Sequence, residues 1–270
     1  MAEQPHNHPL GALVARMQDD QGGVCVRQIG QHRFLTFDNA VEQSCYNIAQ
    51  PHRLEHAYTQ AMMLALLLLP RPSSALVLGL GGGSLVRALR HALPRLEITA
   101  IESRQGVLDA ARNWFGIDES DPSLSLVHQD AEEFLTGRSG IYDLIFADLY
   151  HSEGASPLQN DPGFLGLCEE HLSQHGVLLL NHWCSEFRDS RLAHEAQQAV
   201  FGDKVLHLHV QGGNVIAFAF RGRFPDLDRK RFIDAALDLG QRLEIPLHRL
   251  ARNFWRQNSE PLKLGRFRRR

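Results

Sequence analysis

Four glycines fall within five positions in the stretch LVLGLGGGSLVRAL, residues 76–89. They are Gly79, Gly81, Gly82 and Gly83. A run of aliphatic residues typical of a buried strand precedes them, and a helical pattern follows. Because glycine loses more conformational freedom on folding than other residues, such a cluster indicates a tight turn or a ligand lying against bare backbone. Ser84 stands at the last glycine position of the dinucleotide-binding pattern G-x-G-x-x-G, so the glycines alone do not identify a ligand.

Strand patterns alternate with helical patterns from residue 75 onward. The predicted strands are 75–80, 97–102, 124–129, 142–149 and 176–183, and the predicted helices are 84–92, 105–115, 130–136, 162–173 and 186–200. This alternation predicts a mostly parallel sheet covered on both faces. Two further strands, 204–210 and 214–220, are too close for a helical crossover and predict an antiparallel hairpin. We therefore expect an α/β fold with the Rossmann-like sheet of S-adenosylmethionine-dependent methyltransferases. A dinucleotide-binding dehydrogenase more often ends in parallel strands.

The flanking regions follow other patterns. Partial alternation at 24–30 and 32–39 predicts a half-exposed hairpin, and 54–69 predicts a helix that ends at Pro70. The pattern is helical again after residue 221, over 226–243 and 248–258. We expect three parts, which are an N-terminal β-strand region (1–53), a Rossmann-like nucleoside-binding catalytic domain (54–222) and a C-terminal helical extension of unassigned role (223–270).

Composition excludes several classes of protein. The net charge of -3 and the pI near 6.6 give no general attraction to nucleic acid or membranes. The most apolar run, 61–69, is far shorter than the roughly 20 residues of a membrane span, and the N-terminus lacks a signal-peptide pattern. Scattered cysteines without a C-x-x-C pair indicate reduced thiols; they are Cys25, Cys45, Cys168 and Cys184. We expect a cytoplasmic protein without a metal site, although His207 and His209 share one face of a strand.

Three acidic residues stand at the carboxyl ends of successive predicted strands, at Glu102, Asp130 and Asp148. Glu102 lies about 20 residues beyond the glycines, where an acid accepts hydrogen bonds from ribose hydroxyls. Asp130 is placed to accept from an adenine amino group or to cap the following helix. Asp148 lies in the mouth of the expected cleft. Together with the glycines they predict a ribose-bearing ligand, without separating NAD from an adenosyl sulfonium compound.

Seven blocks extend these motifs over residues 24–220, and they read FLTFDNAVEQS, HAYTQAMMLALLLLP, VLGLGGGSLVRAL, ITAIE, QDAEEFL, YDLIFADLY and GVLLLNHW. Their order and spacing resemble the spermidine synthase (polyamine aminopropyltransferase) family, and specifically its shorter bacterial spermidine synthase-like branch. The resemblance implies a small N-terminal β-domain on a Rossmann-like catalytic domain, assembled as a homodimer. In that family decarboxylated S-adenosylmethionine donates an aminopropyl group to a small-molecule amine such as putrescine, in polyamine biosynthesis, and methylthioadenosine is the other product.

The resemblance also implies roles for individual residues. Gln43 would contact the nucleoside or the chain attached to its sulfur, Glu102 the ribose and Asp130 the adenine amino group, with the glycine turn against the same ligand. Tyr58 would line the channel in which the two substrates meet.

The acceptor side of the implied site differs from the family pattern. Asp148 would be the catalytic carboxylate, attracting the protonated amine and helping it lose a proton. Tyr150 and His151 would lie beside the acceptor, and His151 stands where the family has a second acid. Gly82 stands where the family's glycine turn carries an aspartate. Glu153 and Glu186 are candidates to compensate for these two acids.

Four functions remain open from the sequence. The leading one is aminopropyl transfer to an amine. An S-adenosylmethionine-dependent methyltransferase needs the same adenosyl pocket, with Tyr150, His151 and His182 near a different acceptor. A non-catalytic nucleoside-binding or assembly protein is consistent with the missing acids but not with Asp148. An NAD-dependent dehydrogenase is disfavoured by the closing hairpin.

Overall fold

A computed structural model describes residues 9–38, 41–137, 140–151, 154–183, 191–260 and 262. An antiparallel sheet near the N-terminus has the order β1-β2-β3-β4, with β1 Ala12–Asp19, β2 Gly22–Ile29, β3 His32–Phe37 and β4 Glu42–Asn47. The predicted hairpin corresponds to β2 and β3, while β1 and β4 were missed. Both have weak apolar alternation. β1 is largely exposed at the sheet edge, and the buried positions of β4 include the polar side chains of Ser44 and Asn47.

The second sheet has seven strands and confirms the predicted α/β fold. Its strands are β5 Ser74–Leu78, β6 Glu97–Glu102, β7 Leu124–His128, β8 Tyr142–Ala147, β11 Leu172–Trp183, β12 Val205–His209 and β13 Asn214–Phe220, in the order β12-β13-β11-β8-β5-β6-β7. The last five strands in that order pair in parallel, and β13 pairs antiparallel with β11 and β12. Two short strands, β9 Tyr150–His151 and β10 Gly154–Ala155, pair just beyond β8. The strand order reverses direction beside β5, which is where open α/β sheets bind ligands.

The helices cover this sheet. They are α1 Ala57–Met62, α2 Ala65–Leu68, α3 Ser84–Ala92, α4 Gln105–Trp114, α5 Ala131–Gly137, α6 Pro162–Glu170, α7 Arg191–Phe201, α8 Arg229–Leu243 and α9 Leu247–Gln257, with a 3-10 turn at Pro157–Asn160. The prediction of one helix over 54–69 is wrong, because tighter hydrogen bonds interrupt it, for example from Leu64 N to Ala61 O at 3.0 Å. Residues 61–68 are buried on all sides, so packing and not amphipathic periodicity sets their backbone.

Two further boundaries differ from prediction. The helix predicted at 162–173 ends at Glu170, and β11 begins at Leu172 instead of residue 176. The pairing of β11 with β8 is irregular between Leu172 and Val177, in a stretch whose polar residues hid the strand pattern. The helix predicted at 186–200 is observed from Arg191, and residues 184–190, with Cys184 and Glu186, lie outside the described residues, as does Glu153.

The C-terminal helices pack on the sheet and cover one of its edges. Phe254 of α9 contacts Phe218 of β13 edge-on, with ring centroids 5.1 Å apart. The side chain of Asn258 bonds the backbone of His207 in β12, accepting from N at 3.1 Å and donating to O at 2.8 Å. Gln257 bonds His209 N and O in the same way, at 2.9 and 3.3 Å. These amides satisfy an edge strand that would otherwise expose unpaired backbone groups. The three-part division of the chain stays a prediction.

A buried ion pair fixes the N-terminal sheet to the larger sheet. Arg104, just before α4, donates to both carboxylate oxygens of Asp19 in β1, at 2.7 and 3.0 Å. Its guanidinium also lies 4.3 Å from the ring centroid of Phe37. Bidentate pairs of this kind fix geometry as well as charge. The N-terminal sheet is thereby held over the carboxyl end of the strands.

The described part of the chain contains neither a candidate metal-ligand cluster nor a candidate membrane span. No group of three or more His, Cys, Asp or Glu side chains there is arranged to hold a metal ion. No described helix has the length and apolar character that a membrane crossing requires. Three cysteines, Cys25, Cys45 and Cys168, are buried.

Candidate active site

A cavity of about 960 Å³ lies between the N-terminal sheet and the carboxyl ends of the parallel strands. Its walls come from β4, the start of α1, the glycine turn, the ends of β6, β7, β8 and β11, and the tip of the β12–β13 hairpin. Eight of the residues predicted as site residues line it: Gln43, Tyr58, Gly79, Gly81, Glu102, Asp130, Asp148 and Tyr150. The fold therefore brings together residues that are more than 100 positions apart.

Two glycines of the turn face the cavity, and they differ in the space around them. Gly79 and Gly81 line the cavity with φ of 89° and 52°, in the left-handed region that favours glycine. A Cβ on Gly79 would collide with the backbone oxygen of Asp148, whereas a Cβ on Gly81 would meet only Ser44 Cβ, at 4.0 Å. Gly81 thus leaves open space for a ligand against the backbone.

Gly82 and Gly83 lie behind this surface and are buried. A Cβ on Gly82 would lie 2.7 Å from Ser44 Oγ and 3.0 Å from Phe115 Cδ1, and one on Gly83 would collide with Ile117. The two glycines permit close packing of the turn, and neither is among the residues lining the cavity. The position that carries an acid in the family pattern is therefore closed by Ser44 and Phe115.

Glu102 is tied to the glycine turn. Its Oε2 accepts from Leu80 N at 3.2 Å and Gly81 N at 3.4 Å, and its Oε1 accepts from Arg104 N at 3.0 Å. Burial raises the pKa of this carboxyl group, against the lowering effect of the three backbone hydrogen bonds. The carboxylate is an acceptor fixed at the bottom of the turn.

Asp130 and Gln43 occupy more exposed parts of the wall. Asp130 Oδ1 accepts from the backbone N–H groups of Glu132 and Glu133, at 2.8 and 3.2 Å, and so caps α5. Asp130 therefore both caps α5 and lines the cavity, and its contact with an adenine amino group stays a prediction. The Gln43 amide donates to the Val41 carbonyl at 3.4 Å.

Asp148 stands at the end of β8 with several polar neighbours. Its Oδ1 accepts a hydrogen bond from Asn181 Nδ2 at 2.8 Å. Burial raises the pKa of the Asp148 carboxyl, against the lowering effects of hydrogen bonds from Asn181 and Tyr58 and of the charge of His56. Burial and the Asp148 carboxylate in turn raise the pKa of the Tyr58 hydroxyl. Tyr58 is therefore a phenol that donates to Asp148.

Sequence reasoning missed four residues of this wall. Glu42 Oε1 accepts from His56 Nε2 at 2.7 Å, and the His56 ring stacks on Tyr58 at 5.5 Å between centroids. Nothing in the sequence pairs these two positions. Asn181 and Asn214 are buried, and Asn214 Nδ2 donates to Asn181 Oδ1 at 2.9 Å. Their positions at the end and start of predicted strands were the available signal.

An aromatic wall lies beyond Asp148. The Tyr150 hydroxyl donates to the Asn181 carbonyl at 3.4 Å, and its ring meets Trp183 edge-on at 6.5 Å. Trp183 is 40% exposed, and its ring lies over Gly213. His151 has its backbone in β9, and its side chain lies outside the described residues.

The fold and the strand-end carboxylates around a glycine turn define the class, an α/β protein with the sheet of the S-adenosylmethionine-dependent methyltransferases. Within this class, the chain belongs to the spermine/spermidine synthase family. A model of the spermine/spermidine synthase domain matches residues 55–201.

Individual relatives are of two kinds. A polyamine aminopropyltransferase of Neisseria meningitidis serogroup A is 27% identical over 229 residues, covering 84% of this chain and 87% of that protein. A spermidine synthase solved with the transition-state analogue AdoDATO has a TM-score of 0.69 at 17% identity, covering 93% of this chain and 88% of the other, and shows the fold. Human methyltransferase-like protein 13, solved with SAH, has a TM-score of 0.59 at 25% identity, covering 73% of this chain and 93% of the other.

Proposed function

We propose that this protein transfers an aminopropyl group from decarboxylated S-adenosylmethionine to an amine. The observation that carries the proposal is the position of Asp148, with Tyr58 donating to it, at the cavity wall beside the glycine turn. Similarity to polyamine aminopropyltransferases over 84% of the chain supports it.

The donor substrate fits the lower half of the cavity. Open space at Gly81 admits a ligand against the backbone, and Glu102 supplies an acceptor for ribose hydroxyls. Asp130 stands at the next strand end, where an adenine amino group would be within reach, and Gln43 faces the nucleoside from the N-terminal sheet. In this substrate the sulfonium is the leaving group.

Asp148 binds and deprotonates the acceptor amine in this proposal. An alkyl amine is protonated at neutral pH, because its pKa is near that of lysine, about 10.4. The Asp148 carboxylate attracts the ammonium and takes one proton, and its raised pKa makes it the better base. The amine nitrogen then forms a bond to the carbon beside the sulfonium as the C–S bond breaks, and methylthioadenosine leaves with the electron pair. Most of the rate enhancement comes from positioning the two substrates.

Glu42 provides an acidic side chain that could compensate for the two acids of the family pattern that this chain lacks. Its charge, like that of Asp148, raises the pKa of Tyr58, so both carboxylates act on one region of the wall. In our proposal Glu42 takes over part of the charge lost at positions 82 and 151. The expected homodimer and cytoplasmic location remain predictions.

A calorimetric titration with decarboxylated and intact S-adenosylmethionine tests the donor, because the two compounds differ only in the carboxylate. We expect preference for the decarboxylated form. Turnover is then followed as methylthioadenosine released in the presence of a panel of amines. Asp148→Asn is expected to lower the rate by about 10²-fold or more while leaving donor affinity intact. Turnover unaffected by Asp148→Asn would refute the proposed role.

Methyl transfer from intact S-adenosylmethionine is the second candidate, and the charge behind the glycine turn favours it. Arg87 donates to the carbonyls of Gly82 and Phe115, at 2.5 and 2.7 Å, and to Ser84 Oγ at 3.4 Å. These partners are uncharged, so the positive charge is not neutralised by them. Ser44 and Ser84, whose hydroxyls lie 3.3 Å apart, line the cavity on this side. Such surroundings suit a ligand carboxylate better than an ammonium.

The same titration separates the two candidates. Tighter binding of intact S-adenosylmethionine, with no methylthioadenosine released for any amine, would favour the methyltransferase. The structure of human methyltransferase-like protein 13 with SAH is consistent with that outcome for the shared fold. Binding of neither compound would refute both.

A further inference from the structure

Two buried asparagines connect the closing hairpin to Asp148. Asn181, 1% exposed, lies in β11 and donates from Nδ2 to Asp148 Oδ1 at 2.8 Å. Asn214, 8% exposed, begins β13 and donates from Nδ2 to Asn181 Oδ1 at 2.9 Å. The three side chains form a continuous hydrogen-bonded row along the cavity wall.

The row has a direction. An asparagine amide accepts at one end and donates at the other. Because Asn214 donates to the oxygen of Asn181, the NH₂ group of Asn181 faces Asp148. We propose that Asn181 and Asn214 are positioning residues, which hold the Asp148 carboxyl group in one orientation with Oδ1 occupied. This inference rests on the function proposed above for Asp148.

The hairpin turn is built to place Asn214. Gly212 and Gly213 have φ of 103° and 91°, so the turn uses conformations that L-residues rarely adopt. The register pairs Asn214 with Trp183, two residues beyond Asn181 on the neighbouring strand. The antiparallel hairpin, which identified the sheet type in the sequence, thus forms part of the cavity wall and supports Asp148 through Asn181.

Other titratable groups act on Asp148 from the opposite wall. Tyr58 of α1 donates a hydrogen bond to it, and His56, just before α1, acts through its charge. Glu42 and Tyr150 act on Tyr58. Asn214 is bonded to Asn181, and Asn181 to Asp148, so a change at Asn214 reaches Asp148 through Asn181.

Asn214→Asp is the sharpest test. A carboxylate at this position can only accept, so it draws the NH₂ group of Asn181 to itself and turns the Asn181 oxygen toward Asp148. Loss of that hydrogen bond is expected to raise the pKa of Asp148 by about 1 to 2 units. Asn214→Ala, which frees Asn181 without attracting it, is expected to give a smaller shift in the same direction. It serves as the second variant should Asn214→Asp not fold.

The pKa is read by ¹³C NMR of protein labelled at aspartate carboxyls, with the Asp148 signal identified by its loss in Asp148→Asn. Gln211→Glu is the matched control, since it adds a charge on the same hairpin turn without a bond to Asn181. A shift in the Asn214 variants that exceeds the shift in Gln211→Glu supports the inference. No shift in either Asn214 variant, or an equal shift in Gln211→Glu, overturns it.

The NMR measurement needs no substrate, so it is independent of the proposed function. If no amine is converted but the Asp148 pKa moves as expected, the aminopropyl reaction fails and the positioning role stands. If amines are converted, the acidic limb of kcat/KM must move to higher pH in Asn214→Asp together with the NMR pKa. Normal turnover with an unmoved limb refutes the positioning role alone.

Discussion

Replacing Gly82 by alanine tests why this chain departs from its family at the glycine turn. The added Cβ would lie 2.7 Å from Ser44 Oγ and 3.0 Å from both Ser44 Cβ and Phe115 Cδ1. Ser44 is 5% exposed and Phe115 is fully buried, so neither neighbour is free to move away. Gly82 is not among the glycines with positive φ, so crowding and not backbone strain determines the cost.

Overpacking of this kind costs about 1–3 kcal/mol, and we expect Gly82→Ala to lose that much free energy of unfolding in urea. The matched control is Gly166→Ala in α6, where a Cβ would meet nothing within 4 Å. Because alanine is the better helix former, that control should be neutral or more stable by up to about 1 kcal/mol.

A double-mutant cycle identifies the neighbour responsible. Ser44→Gly removes both Ser44 atoms that crowd position 82, so Gly82→Ala should cost less in that background, with a coupling of at least about 0.5 kcal/mol. Additivity with Ser44→Gly would assign the crowding to Phe115, whereas full stability of Gly82→Ala would show that position 82 is open. In that case the family's acid is missing for a reason other than space.

Three further predictions concern charge and pH. Tyr58→Phe removes a hydrogen bond that lowers the pKa of Asp148, so the acidic limb of the rate profile should move up by about one unit, and an unmoved limb would contradict the contact. Arg104→Leu leaves Asp19 buried without its partner and should cost about 3–5 kcal/mol in urea unfolding; Arg16→Leu, at an exposed ion pair, should cost at most about 1. Burial lowers the pKa of His182 to about 4, so the unfolded chain binds more protons between roughly pH 6.5 and 4, and stability falls as the pH drops through that window. We expect a loss of about 2 kcal/mol from pH 7 to pH 5 through this residue, which His182→Asn should abolish.

The sheet was predictable because its strands are short apolar runs separated by helical periods. The hairpin was predictable from the three residues between its strands. The sequence did not predict β4, whose inward-facing residues include serine and asparagine. It also did not predict the interruption of the buried segment before β5, which has no amphipathic periodicity. Periodicity reports one buried face, so an element that is buried all round, or lined with polar groups, gives no such signal.

The residues of the candidate site likewise differ in how far the sequence predicts them. Strand-end carboxylates follow from chain order and topology, so the sequence predicted that Glu102, Asp130 and Asp148 would lie together at the cavity, and their roles stay predictions. The pairing of Glu42 with His56 depends on how the N-terminal sheet lies over the larger one, which no local pattern encodes. The orientation of the Asn181 amide depends on Asn214, 33 residues away, and is a property of the folded network.

Glu102 has a kinetic consequence for ligand binding. Three backbone N–H groups hold its carboxylate in place before a ligand arrives, so the loss of rotational entropy belongs to folding and not to association. In the proposed donor complex, a ribose hydroxyl binds a Glu102 carboxylate that needs no rearrangement. Nucleosides with and without ribose hydroxyls should accordingly enter the cavity at similar rates and differ in how long they stay.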